Sequence, residues 1–259
     1  MIKIENLQDP RVQSYSSLRN QNKFYRESEL FIAEGFKVID KLLDSKLEIV
    51  SFFATLEFYQ NLQARLDSKG VPENQRYFAE KQLLEQIVGF NLHQGILALA
   101  RQPEKITLHE LSSPVVVLNG IIDTENIGSI VRNCAAFGIK SLIVDEKSAS
   151  PYIRRAVRVS MGTVFDIDVY YSQRIFETID DLKNLGYAII SCEITDKALD
   201  INTFKFPEKF TLIFGSEGQG IDTAVLNLSD LIVKIPLADG VASLNVAAST
   251  AVFLFKIMK

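Results

Sequence analysis

Three short segments in the later part of the chain carry residue types that do chemistry. The first is Asn126-Ile127-Gly128-Ser129-Ile130-Val131-Arg132. The second is Phe214-Gly215-Ser216-Glu217-Gly218-Gln219-Gly220. The third starts at Ile235-Pro236-Leu237 and continues through Gly240 to Ser243-Leu244-Asn245-Val246-Ala247-Ala248. Each sets glycine beside carboxamide, carboxylate, hydroxyl or guanidinium groups. Glycine lets a backbone approach a ligand without a Cβ in the way. A polar helix mouth after a strand, as in the third segment, presents N–H groups that have no partner inside the helix. Neither the 120–128 stretch nor the 214–220 stretch is a nucleotide fingerprint. The first lacks the G-x-G-x-x-G order and the second lacks Gly-Lys-Ser/Thr. G-x-S-x-G is not met either, and neither His93 nor His109 lies in a motif that makes it a base, so a serine hydrolase has little support. Two His and two Cys are too few for a dedicated transition-metal site.

Such groups need a scaffold, and the apolar pattern supplies one. Short buried strands are expected at residues 115–118, 141–145, 166–170, 187–191, 210–214 and 231–235, with helical stretches between most of them. Strands apolar on both faces are the mark of a mostly parallel sheet covered on both sides. In such sheets ligands bind beyond the carboxyl ends of the strands, which is where all three segments fall. Upstream, residues 30–33, 49–54, 77–79 and 95–100 read as strands. Helices are expected over 9–20, 34–43, 57–66 and 81–87, the first opened by Asp9-Pro10. The polar, Pro-containing stretch around Gln102-Pro103-Glu104-Lys105 places a linker at about residues 101–112, dividing the chain into domains at 1–104 and 105–259.

Composition narrows the class. The chain has 259 residues, 47% of them hydrophobic, a net charge of −4 and a pI near 5.4. That balance argues against coating nucleic acid by bulk charge. The first 105 residues are neutral overall, so any contact with RNA must come from local clusters. The clearest cluster is Arg154, Arg155 and Arg158, with Arg154 and Arg158 one helical turn apart. No apolar run reaches the roughly 18 residues that cross a bilayer. The N-terminal residues lack the apolar core of a signal peptide. Cys134 and Cys192, in apolar surroundings, read as buried thiols of a cytoplasmic protein.

Taken together and in this order, the three segments resemble the three motifs of the SpoU (TrmH-type) RNA ribose 2′-O-methyltransferases of the SPOUT class. The resemblance covers about residues 112–259. The front half is similar to the small substrate-binding domain, with an L30e/L7Ae-like fold, that precedes many such catalytic domains. That similarity rests on residues 12–18, Phe31-Ile32-Ala33-Glu34-Gly35 and His93-Gln94-Gly95-Ile96-Leu97-Ala98. The chain departs from the family pattern in having Asp123-Thr124-Glu125 before Asn126, Ala247 where serine is common, and Lys23-Phe24-Tyr25-Arg26-Glu27 in place of a compact basic stretch.

The resemblance implies an α/β architecture: an L30e-like α/β/α domain followed by a mostly parallel SPOUT domain with a deep trefoil knot. It implies S-adenosylmethionine as cofactor, held by Gly215, Gly218, Gly220, Ile235, Leu237 and Leu244. It implies a homodimer through the catalytic domain, with structured RNA as substrate, rRNA favoured over tRNA. Asn126, Arg132, Glu217, Ser243 and Asn245 match the catalytic positions, and Arg154, Arg155 and Arg158 become RNA-backbone contacts. No metal and no membrane are implied. The matching arginine is assigned the part of general base in the family. Arginine keeps its proton up to a pKa above about 12, whereas orienting the hydroxyl and stabilising charge needs no deprotonation, and both parts stay open. Ser243 and Asn245 are expected to cap the last helix while facing the ligand. From a different class, a non-catalytic RNA-binding or ribosome-assembly module with a relict cofactor pocket would share the acidic pI and the weak basic stretch.

Overall fold

The computed structural model describes residues 1–17, 29–92 and 94–258. The Lys23–Glu27 stretch, His93 and the end of the expected first helix lie outside the described residues. The chain forms two compact units, residues 1–103 with 151–165, and residues 104–150 with 166–259.

The front unit is built on a five-stranded mixed sheet in the order β1-β4-β3-β5-β2. Its strands are β1 (Ile2–Lys3), β2 (Leu30–Glu34), β3 (Ile49–Ala54), β4 (Arg76–Phe78) and β5 (Ile96–Arg101). Strand β5 runs antiparallel to both β2 and β3, while β1, β4 and β3 are mutually parallel. The short α1 (Gln13–Ser17) follows a 3-10 turn capped by Asp9. Next come α2 (Phe36–Asp44), α3 (Leu56–Ser68) and α4 (Lys81–Val88). Helix α2 buries Val38, Ile39, Leu42 and Leu43, the i, i+1, i+4, i+5 stripe that folds it onto the sheet.

The back unit carries seven strands in the order β10-β12-β9-β11-β6-β7-β8, and every pairing is parallel. They are β6 (Val115–Asn119), β7 (Ser141–Val144), β8 (Asp168–Tyr171), β9 (Ala188–Cys192), β10 (Leu199–Asp200), β11 (Phe210–Gly215) and β12 (Leu231–Lys234). Strand β6 is buried along its whole length, as its run of three valines and a leucine requires of a central parallel strand. From β6 the chain moves outward to β7 and β8 on one side. Strands β9 to β12 lie on the other side, so β6 and β11 flank the switch in strand order. Around the sheet lie α5 (Thr124–Ala136), α7 (Ile175–Asn184), α8 (Thr223–Leu228) and α9 (Val246–Ile257). Helices α5 and α9 pack together, with Asn133 donating through Nδ2 to the Ala247 carbonyl at 2.8 Å. Phe253 of α9 meets Phe214 of β11 edge to face, 5.6 Å between ring centres.

The chain first passes from one unit to the other at residues 103–104. Residues 151–165, which lie between β7 and β8 in sequence, belong to the front unit. They include α6 (Arg154–Val159), which packs on β2. Phe31 of β2 lies 5.4 Å from the Tyr152 ring and 5.5 Å from Phe165. Burying these aromatics against β2 outweighs the sequence proximity of the segment to β7. The two-residue strands β1 and β10 are too short to leave a periodic signal. Cys134 is buried and Cys192 half-buried, both free thiols. Among the described residues no helix is long and apolar enough to cross a membrane.

Candidate active site

The polar residues of the back unit gather beyond the carboxyl ends of β6, β9, β11 and β12. At the end of β6 the chain turns through Gly120, whose φ of +71° favours glycine. The turn is held from below. The buried Asp145 carboxylate accepts from Asn119 Nδ2 at 2.9 Å and from the Gly120 N–H at 3.0 Å. Ser148 Oγ accepts from the Ile121 N–H at 2.9 Å. Asp123 then caps α5, accepting from the Glu125 and Asn126 N–H groups. Asn119 Oδ1 accepts from the Asp222 N–H at 2.8 Å, tying the end of β6 to the start of α8. Asp222 caps α8 and pairs with Lys147 at 2.8 Å. Lys147 holds the Asp222 carboxyl below the usual carboxylate range by its hydrogen bond, with the Ala224 N–H adding to this.

At the end of β11 the loop closes on itself. Ser216 and Gly220 exchange backbone hydrogen bonds of 2.9 and 3.1 Å. A Cβ at Gly215 would stand 2.1 Å from the Gly220 carbonyl carbon, so only glycine lets the loop fold back. Glu193, at the end of β9, accepts from the Ile221 N–H at 3.0 Å and braces the loop from the side.

The three sequence segments converge on Asn245. Its carboxamide oxygen accepts from the Ala247 and Ala248 N–H groups at 2.9 and 3.2 Å and so caps α9. Its Nδ2 donates to Asn126 Oδ1 at 2.9 Å and to Glu217 Oε1 at 2.5 Å. One side chain therefore joins all three segments. Asn245 alone caps α9; Ser243, expected to share that part, lies in the preceding loop, exposed. Arg132 is exposed on α5 and makes no hydrogen bond or ion pair to Asn245 or to any other described residue.

Two cavities flank the 215–220 loop. The smaller, of about 150 Å³, lies among the ends of β9, β11 and β12. Five of the six residues expected around a cofactor line it: Gly215, Gly220, Ile235, Leu237 and Leu244. The sixth, Gly218, lines the larger cavity instead, because the loop turns its tip the other way. Sequence reasoning missed Cys192, Glu193 and Ile194, which also line the smaller cavity. Their signal was available, since they end an apolar strand of the same parallel sheet. The larger cavity, of about 770 Å³, lies between the end of β6 and the 216–223 stretch. Among the described residues no group of His, Cys, Asp and Glu is placed to hold a metal ion.

The arginine cluster takes a different place. In the front unit Arg154 pairs with the buried carboxylate of Glu34, and Arg158 approaches the same carboxylate at 3.4 Å. The Arg154 guanidinium also lies over the Phe90 ring, 3.7 Å from its centre. Two of the three arginines expected to reach RNA thus serve an internal ion pair, while Arg155 is exposed.

The family model described as SpoU rRNA Methylase matches residues 113–255. The chain is 30% identical over 261 residues to an uncharacterized tRNA/rRNA methyltransferase of Mycobacterium tuberculosis strain H37Rv, covering 96% of this chain and 88% of that one. Its fold is similar to that of an AdoMet-bound rRNA methyltransferase from Sinorhizobium meliloti, with a TM-score of 0.85, 22% identity and coverage of 99% and 97%. A structure described as an RNA 2′-O ribose methyltransferase is similar at a TM-score of 0.77, again 22% identical, with coverage of 99% and 98%. The chain belongs to the SpoU methylase family.

Proposed function

We propose that the chain is an S-adenosylmethionine-dependent methyltransferase acting on a ribose 2′-hydroxyl of structured RNA, rRNA in preference to tRNA. The observation that carries this reading is the junction of Asn126, Glu217 and Asn245 beside the smaller cavity. That cavity fits the cofactor in its chemistry. Strand-end backbone and the apolar side chains of Ile235, Leu237 and Leu244 suit an adenosine, and Glu193 and Glu217 line the same cavity with carboxylates that would suit a cationic group. When bound, S-adenosylmethionine supplies an electrophilic methyl group on sulfur.

The difficult partner is the ribose hydroxyl, a poor nucleophile until its proton leaves. Asn126 presents a carboxamide that orients it, while Asn245, whose two amide hydrogens go to Asn126 and Glu217, holds those two side chains in place. Ser243 faces the smaller cavity and supplies a further hydroxyl. Arg132, exposed and unpaired among the described residues, meets the charge that develops on oxygen and the neighbouring phosphate. We further propose a homodimer through the back unit, because α9 exposes Val252 and Phe255 beside α5. A deep trefoil knot, an L30e-like front unit that selects the RNA, domains at 1–104 and 105–259, and a cytoplasmic location complete the reading. Arg155 and the half-exposed Arg158 remain its contacts to the RNA backbone, whereas Arg154 is turned inward.

Incubation of the purified chain with S-adenosylmethionine and bulk rRNA or tRNA is expected to give 2′-O-methylated nucleotides, and Arg132→Ala to lose most of that activity. Methylation of neither pool, with Arg132→Ala equal to wild type, would overturn the proposal.

A further inference from the structure

The larger cavity takes no part in holding the methyl donor in the reading above. We infer that it receives the methyl acceptor as a single ribonucleotide turned out of its helix, base inward, with Ile122 and Gln219 against the base. This inference rests on the proposed function and adds where the acceptor enters.

The two cavities share lining residues. Ser216, Glu217, Gly220 and Val246 line both cavities. The two cavities therefore adjoin at these residues. Glu217 is one of them, and it is bridged through Asn245 to Asn126, which lines the larger cavity. The polar junction therefore stands where the two cavities meet, which is where an in-line transfer between two ligands has to take place.

A volume of about 770 Å³ suits a nucleotide-sized ligand. Among the described residues Ile122 is the most exposed large hydrophobic side chain, at 73%. That exposure is imposed by the backbone. Gly120 and Ile121 are anchored to Asp145 and Ser148 on one side, and Asp123 caps α5 on the other. Ile122 is thus held out as a preformed apolar face for a flat ring. The Gln219 carboxamide offers a donor and an acceptor for a base edge and has no side-chain partner among the described residues.

Charge sets the orientation. Asp123, Glu217 and Asp222 line the cavity, and Lys147 is the one cation among the described lining residues, already paired with Asp222. A phosphate is repelled from such an interior, while a neutral base and ribose are not. The phosphates stay toward solvent, and the exposed Lys147 keeps donors beyond the one given to Asp222. An unstacked, extruded nucleotide meets these conditions and a paired one does not.

The test uses the isotope-labelled full chain, with S-adenosylmethionine and the four ribonucleoside 3′,5′-bisphosphates as probes. Amide NMR shifts and calorimetry are the readouts. At least one bisphosphate is expected to shift the amides of Gly120, Ile122, Gly218 and Gln219. S-Adenosylmethionine is expected to shift those of Gly215, Leu237 and Leu244, and both ligands to bind at once. Ile122→Ala is expected to weaken bisphosphate binding about fivefold or more and leave S-adenosylmethionine affinity unchanged. The inference is overturned if no bisphosphate moves residues 119–123 or 216–223, if the two ligands compete for one set of amides, or if Ile122→Ala has no effect on the bisphosphate. Bisphosphate binding without any S-adenosylmethionine binding would instead remove the proposed function and keep the nucleotide site.

Discussion

Two carboxylates of this chain stand in similar company and do opposite things. Glu34 and Glu217 each draw in nitrogen donors from segments far away in sequence. Glu34 is buried, with only 4% of its side chain exposed, and its charge is answered by Arg154 and Arg158 inside the front unit. Glu217 is exposed, and it faces an uncharged carboxamide between two cavities. A buried charge with matched guanidinium partners has nothing left to offer a ligand. An exposed charge with a neutral partner keeps both its field and its free lone pairs. Residue type alone does not separate the two clusters, and burial does.

Removing the buried member is expected to give the largest effect. Glu34→Ala leaves Arg154 without its counter-charge and should cost about 3–5 kcal/mol, read as a lower urea midpoint for the front unit. The double variant with Arg154→Ala should recover part of that loss. A single-variant shift under about 1 kcal/mol would mean that the aromatic contacts of Phe31, not the ion pair, hold residues 151–165. At the other cluster the balance reverses. Asn245→Ala is expected to lower methyl transfer about 10²–10³-fold while lost capping of α9 costs only about 1 kcal/mol. A stability loss as large as that of Glu34→Ala, with activity per folded molecule intact, would make the Asn245 junction structural as well.

Gly215→Ala tests the wall between the cavities. Its Cβ has no room beside Gly220, so the loop must open, at a cost of about 1–3 kcal/mol. S-Adenosylmethionine affinity should fall with it, measured by calorimetry. The smallest effect concerns acid. Asp222 titrates below the usual carboxylate range because of Lys147, so its contribution is present above its ordinary pKa of 3.8 and is lost as pH falls through the depressed folded value. Asp222→Asn should therefore flatten the fall in stability below about pH 4, and an unchanged acid limb would show that the Lys147 pair adds nothing.

Much of the fold was legible because its signals are local. The ten longer strands fall within a few residues of the apolar runs that announce them, since a buried strand needs little beyond a short run of apolar residues. Three glycine-bearing segments at strand ends pointed to one composite site for the same reason. The ion pair of the arginine cluster left no local signal because its partner, Glu34, is 120 residues from Arg154. Helical spacing shows that Arg154 and Arg158 share a face, but not whether that face meets water or a carboxylate. Cys192, Glu193 and Ile194 escaped notice because no glycine marks the end of β9.

The sequence by itself determined the family, the parallel sheet and which residue types meet at its carboxyl edge, because strand patterns and short motifs are written in neighbouring residues. Only the tertiary structure decided that Asn245 joins all three segments, that the 215–220 loop divides two cavities, and that residues 151–165 leave the sheet beside them for the front unit. Each of these depends on groups 28 to 134 residues apart coming within hydrogen-bond or ring-contact distance. Packing and burial select such pairs, and no local periodicity encodes them.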